Sequence, residues 1–208
     1  MTCYICSAPR TSDEHVPPRC FFPEGMRNNL FTVPSCEDHN TSKSKDDEYV
    51  RNLICSSFGS NLHGVSLATS KVVRSFQRSN GLIHTTFEDT TLLKLLDGGE
   101  TIALTVNLDR FDRVMNSIAY GLYYLEFGTT FKGTWEIVPY SLTTKQGLSG
   151  SSTDDFELVR SKLNAVRYEM RPVANPEIFR YGRFVENANR MVYKFIFYEG
   201  FLCFAVTK

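Results

Sequence analysis

The sequence lacks a charge surplus of either sign. Lys and Arg number 23, Asp and Glu number 23, and the formal net charge is zero. A strongly basic balance, the usual mark of a protein that holds nucleic acid by bulk electrostatics, is therefore missing. Any attraction for phosphate must come from local basic patches, from bound metal or from a partner. Long apolar runs are also missing. No stretch reaches the roughly 18–20 residues that span a bilayer, so membrane insertion is not expected. The opening MTCYICSAPRTSDEH has no basic segment followed by an apolar one, so no secretory signal is expected and the cytoplasm is the expected location. There is no internal repeat and no low-complexity tract. Tryptophan occurs once.

Phenylalanine and tyrosine are plentiful, with 16 and 10 copies in 208 residues. That is enough apolar material for a real core, in one sizeable domain or in a small module plus a medium one. Composition divides the chain near residue 60. Residues 1–45 are rich in Cys, Pro, Asn and Ser and poor in periodic segments. Such a stretch buries little apolar surface and needs a staple. A helix is expected over 46–58, with Asp46, Asp47 and Glu48 suiting the positive end of its dipole and Gly59 as a stop.

The rest reads as α+β. Strands are expected over 82–87 and 101–106, with Gly98-Gly99 as a turn between elements. A helix is expected over 109–127, where Phe111, Val114, Met115, Ile118 and Leu122 repeat at three and four. Gly128 ends it. Beyond it are expected a strand over 134–141, a loop over 147–152, a helix over 154–170 and strands over 178–185, 191–198 and 201–206. Glu199-Gly200 reads as a two-residue hairpin connection. Over 68–79, Lys71, Arg74 and Arg78 recur at helical spacing. They read as the solvated face of a packing helix, or else as a phosphate-contacting helix.

Four of six cysteines fall in the first 36 residues: Cys3, Cys6, Cys20 and Cys36. In a cytosolic chain such clustering points to metal before disulfides. Cys3-x2-Cys6 and Cys36-x2-His39 form two knuckles. Together they supply four soft or borderline ligands, which closes a structural zinc site. Cys55 and Cys203 stand among apolar residues and read as buried packing residues. His63 and His84 have no ligand-like neighbours and read as structural.

Between the knuckles stands Glu14-His15-Val16-Pro17-Pro18, then Asn29-Leu30. After the second stand Asn40 and Lys43. This order resembles the HNH (ββα-metal) endonuclease family, over about a quarter of the chain. Residues 61–208, which resemble no known family, read from their own patterning as an α+β domain for substrate or partner recognition, built on an antiparallel sheet and two amphipathic helices. The resemblance implies a nuclease module in residues 1–60. It implies that His15 is the general base that activates water. It implies that Glu14 and Asn40 hold a catalytic Mg2+ or Mn2+, as oxygen donors suit hard cations. Asp13 is an alternative to Glu14. Asn29, or its neighbour Asn28, would fix the His-bearing loop, and Lys43 would contact phosphate. The implied substrate is DNA, with RNA also open. Size and layout are similar to effectors of bacterial phage defence, which implies a protein partner such as an ATPase or sensor, or self-association. The competing expectation is a zinc module without catalysis that contacts nucleic acid or protein.

Overall fold

The structure, a computed structural model, describes residues 1–72, 91–94, 100–103, 105–142, 154–187 and 190–208. The expected strand at 82–87, the Gly98-Gly99 turn, the loop at 147–152, His84 and the basic positions Arg74 and Arg78 lie outside the described residues. The fold is α+β, with four α-helices and three antiparallel sheets among the described residues. None of these helices is long and apolar enough to cross a membrane.

The chain opens with two short antiparallel strands, β1 (Ser12–His15) and β2 (Thr32–Ser35), succeeded by helix α1 (Ser44–Cys55). Helix α1 starts two residues before the expected helix and stops three short of its end. Tyr49, Val50, Leu53 and Ile54 are buried along it. A short helix α2 (Leu62–Leu67) comes next, capped by the Asn61 side chain, and runs into a wider turn over Ala68–Val72. Strands β3 (Thr91–Lys94) and β4 (Glu100–Ala103) pair with each other.

Helix α3 (Leu108–Phe127) matches the apolar repeat that the sequence carries. Asn107 caps its start by accepting from the Arg110 N–H, and Gly128 closes it in the left-handed region at φ 68°. Strand β5 (Trp135–Val138) ends at Pro139, which has no N–H to continue the ladder. Helix α4 (Asp154–Ala165) is shorter than the sequence implies, because residues 169–170 form a strand, β6 (Glu169–Met170). Tertiary packing overrides helical propensity there. Gly182 lacks a side chain where Tyr168 and Met170 lie. A Cβ at Gly182 would stand 2.7 Å from the Tyr168 Cβ. Strands β7 (Phe179–Asn187), β8 (Arg190–Phe197) and β9 (Phe201–Thr207) complete a five-stranded sheet in the order β5-β9-β8-β7-β6.

The β8–β9 corner corrects the expected Glu199-Gly200 turn. Its left-handed positions are Tyr198 (φ 45°) and Glu199 (φ 62°), and the Gly200 N–H donates to the Phe197 carbonyl at 3.2 Å. Gly200 serves a different end. A Cβ there would lie 2.1 Å from the Gly59 carbonyl oxygen, so two backbones meet where both residues are bare. Tyr198 is fully buried, and its hydroxyl donates to the Phe21 carbonyl at 2.5 Å.

One contiguous core runs from Cys3 and Tyr4 through Val16, Phe21 and Ile54 to the aromatics of α3 and the sheet. The Phe21 and Phe197 rings lie 5.5 Å apart. Helix α3 supplies three ties to the N-terminal region. Arg110 and Arg113 both donate to the Asp46 carboxylate, at 2.7 and 2.8 Å. The Asn107 N–H donates to the Tyr49 hydroxyl at 2.8 Å. At Gly121, a Cβ would lie 2.5 Å from a methyl of Val16. On the other face of α3's end, Glu126 accepts from the Tyr181 and Tyr193 hydroxyls and pairs with Arg171 and Arg183. Cys55 and Cys203 are buried, as their apolar neighbours imply, and His63 is exposed.

Candidate metal centre and adjoining cleft

The first knuckle is folded by backbone bonds. The Cys3 N–H donates to the Ala8 carbonyl, and the Tyr4 N–H donates to Pro34 in β2. The second knuckle begins where β2 ends, at Cys36, and its turn brings His39 back toward the first. Cys3, Cys6, Cys36 and His39 come together with all ligand atoms within 4.8 Å of one another. The Cys6 and Cys36 sulfurs lie 3.8 Å apart, and His39 Nδ1 lies 3.6, 3.5 and 3.2 Å from Cys3, Cys6 and Cys36. A tetrahedral zinc ion with ordinary bond lengths separates two sulfurs by about 3.8 Å and a sulfur from a nitrogen by about 3.5 Å. The donor set and its spacing therefore fit a metal such as zinc. Burial alone would raise the Cys3 thiol, but backbone N–H groups of Ile5, Cys6 and Cys36 outweigh it and hold that thiol below its usual range. Burial raises Cys6. Cys20, the remaining early cysteine, stands apart from the four, and burial pushes its thiol up to about 12.

The four-residue cluster adjoins the residues that follow it in sequence. Asn40 comes directly after His39, then the turn Thr41–Lys43, then α1. On the facing side, β1 pairs with β2 just ahead of Cys36, with Glu14 opposite Val33 and His15 opposite Thr32. Alternation along β1 turns Glu14 inward and leaves Asp13 exposed and His15 half-buried. An open cleft of about 460 Å³ results, lined by Glu14, His15, Arg19, Cys20, Asn40, Lys45, Asp47 and Glu48 among others.

Within it, His15 is held below its ordinary pKa, by burial first and then by the Arg19 and Arg27 cations, with Asp13 opposing. Its imidazole is thus biased toward the neutral form, which a base requires. Asn40 Nδ2 donates to Ser12 Oγ at 2.8 Å and to the Asp13 carbonyl at 3.3 Å. Asp13 itself is engaged by Arg10 at 2.5 Å.

Lys43 is placed differently from what a phosphate contact needs. It is 3% exposed. Its ammonium donates to Glu14 Oε1 at 2.6 Å and to both Asp47 oxygens at 2.9 and 2.8 Å. Burial raises both carboxylates against the pull of Lys43. Lys43 would be lowered by burial, but Asp47 and Glu14 overcome that and raise it. Asn29 lines a small neighbouring pocket with Val16 and Pro17, the residues that follow His15. It is exposed at φ 56°, beside Val16, Phe31 and Val173, and neither it nor Asn28 joins the lining of the His15 cleft.

Asp47 is one of the cleft residues that the sequence pattern does not single out. Its signal is the i, i+4 spacing from Lys43, which the acidic start of the helix conceals. Comparison with protein-family models, curated proteins and solved structures finds no match to this chain.

Proposed function

We propose that this protein is a metal-dependent endonuclease of the HNH (ββα-metal) type that hydrolyses phosphodiester bonds in DNA. The observation that carries the reading is the meeting of Glu14, His15 and Asn40 in one open cleft, on a β-β-α frame backed by a four-ligand zinc-type cluster. A scaffold alone needs only the four soft ligands. Placing a carboxylate, an imidazole and an amide together at their margin is what hydrolysis calls for.

In this reading His15 accepts the proton of the attacking water, and its depressed basicity keeps it unprotonated near neutral pH. Glu14 and Asn40 would hold the magnesium or manganese ion that offsets charge on the scissile phosphate. Zinc at Cys3, Cys6, Cys36 and His39 would fix the turn that presents Asn40. The two donor sets separate by softness, thiolate and imidazole against carboxylate and amide. Lys43 is then a positioning residue for Glu14. The protein would act in bacterial phage defence with an ATPase or sensor partner, or by self-association, an extension by analogy of size and layout.

One observation favours a second reading, a zinc module that binds nucleic acid or protein without cutting. The carboxylate that should receive the cation already has an ammonium at 2.6 Å. Cleavage of plasmid, linear DNA and RNA with magnesium, manganese or neither separates the readings. The nuclease reading expects metal-dependent cleavage that His15→Ala abolishes while zinc content and fold persist. No cleavage by wild type would favour the second, and equal cleavage by His15→Ala would remove His15 from the catalytic role.

A further inference from the structure

With Lys43 sealed inside, the cleft needs other cations if it is to hold a phosphodiester chain. Most of the charges around it already have internal partners. Glu14 and Asp47 are both met by Lys43 from within. Glu48 is met by Arg51, whose side chain is buried beneath it. Arg27 is tied to the Phe22 carbonyl through Nε at 3.0 Å. Arg110 and Arg113 are engaged with Asp46. Arg10 holds Asp13. Two cleft-lining cations remain with no ion pair among the described residues, Arg19 and Lys45, and both are exposed. They come from different elements. Arg19 opens the turn Arg19–Phe21 after the two prolines, and Lys45 sits in the first turn of α1. Near the start of a helix a cation is unfavourable to the dipole, so the dipole does not account for Lys45 at this place.

We propose that Arg19 and Lys45 grip the phosphodiester backbone of a nucleic-acid strand lying in the cleft across His15. The inference rests on the nuclease reading for its choice of ligand, and it explains how a chain of zero net charge can hold a polyanion. The positive charge is local, solvent-facing and without an ion pair among the described residues, whereas the cations nearby are engaged by internal partners. Phosphate contacts of this kind set register without reading bases. The shared chemistry is the phosphodiester chain, common to DNA and RNA.

The test uses the full-length, zinc-loaded protein without added magnesium, so that binding is read apart from cleavage. Fluorescent oligonucleotides of equal length (duplex DNA, single-stranded DNA and RNA) are titrated by anisotropy at several salt concentrations. Arg19→Gln and Lys45→Gln are each expected to weaken binding roughly tenfold at about 0.1 M salt and to flatten the salt slope by roughly one. Lys132→Gln, at an exposed cation that does not line the cleft, should bind as wild type does. The arm bound most tightly identifies the natural strand type. Unchanged affinity and slope in either cleft variant, or no binding of any oligonucleotide by wild type, overturns the proposal. Cleavage by wild type and His15→Ala, measured on the same preparations with magnesium, judges the nuclease reading separately. Loss of cleavage in His15→Ala beside unchanged binding in Arg19→Gln would sink the grip alone. His15→Ala that cuts like wild type would sink the catalytic assignment while the binding arms still decide the grip.

Discussion

The Lys43 ammonium lies 2.6 Å from Glu14 Oε1, with both side chains almost sealed from water. Asp47 takes the remaining donors, so one cation serves two buried carboxylates. Such a group is tolerable only while every member is present, because an uncompensated buried charge costs far more than the pair gains.

Replacing Lys43 by Met should therefore destabilise the fold by about 3–5 kcal/mol. Asp47→Asn should cost less, since Lys43 still answers Glu14. Urea unfolding, on preparations with equal zinc content, measures both. A Lys43→Met midpoint equal to that of wild type would mean that the ion pairs contribute nothing net.

Wild-type protein should carry about one zinc ion per chain, and Cys36→Ser should carry none. Structural zinc contributes an apparent 10–16 kcal/mol or so in small modules, comparable with or larger than the roughly 5–15 kcal/mol that holds a typical domain together. The variant should therefore lose its N-terminal structure. Elemental analysis and circular dichroism check this. A zinc-free variant with native-like spectra and melting would show that the shared core suffices without the metal.

Gly200 offers a sharp steric test. Its absent Cβ would stand 2.1 Å from a backbone oxygen of Gly59, an atom that cannot swing aside. Gly200→Ala should cost about 2 kcal/mol or more, by pushing two packed segments apart. Gly25→Ala meets nothing within 4 Å and should change stability by less than about 0.5 kcal/mol. Thermal melts of the two variants, side by side, distinguish a close approach from a general dislike of alanine.

Glu126 gathers two tyrosine hydroxyls, at 3.2 and 3.0 Å, and two arginines at the end of α3. Glu126→Gln keeps the shape and removes the charge. It should lose about 1–3 kcal/mol, the worth of charged hydrogen bonds at a buried acceptor. Denaturant unfolding checks it, and an unchanged midpoint would leave the network a bystander.

Much of this was legible in the sequence. Paired two-residue knuckles announce a four-ligand cluster, because the geometry of one ion constrains both spacings. The apolar repeat of α3 reflects one-sided burial, and the apolar runs of β8 and β9 mark them as strands of the sheet. What escaped depends on distant partners. Lys43 has the spacing of a phosphate contact, and only the fold shows Glu14 and Asp47 on either side of it. Gly200 reads as a turn residue, yet its use is to admit Gly59 from some 140 positions away. Residues 169–170 favour helix locally but pair with β7 because Gly182 leaves room.

The hydrogen atom at Gly121 has a reach beyond helix packing. It sits mid-helix, where glycine is a poor choice by about 1 kcal/mol, and Val16 occupies the space a methyl would fill. Val16 is the residue after His15. The chain just after His15 is thus backed by a notch in a helix that begins more than ninety residues later in the chain. The seat of Val16 is a dimension of α3 as much as of β1. A single added carbon at Gly121 would act like a shim under the end of β1, pressing on the residue next to His15.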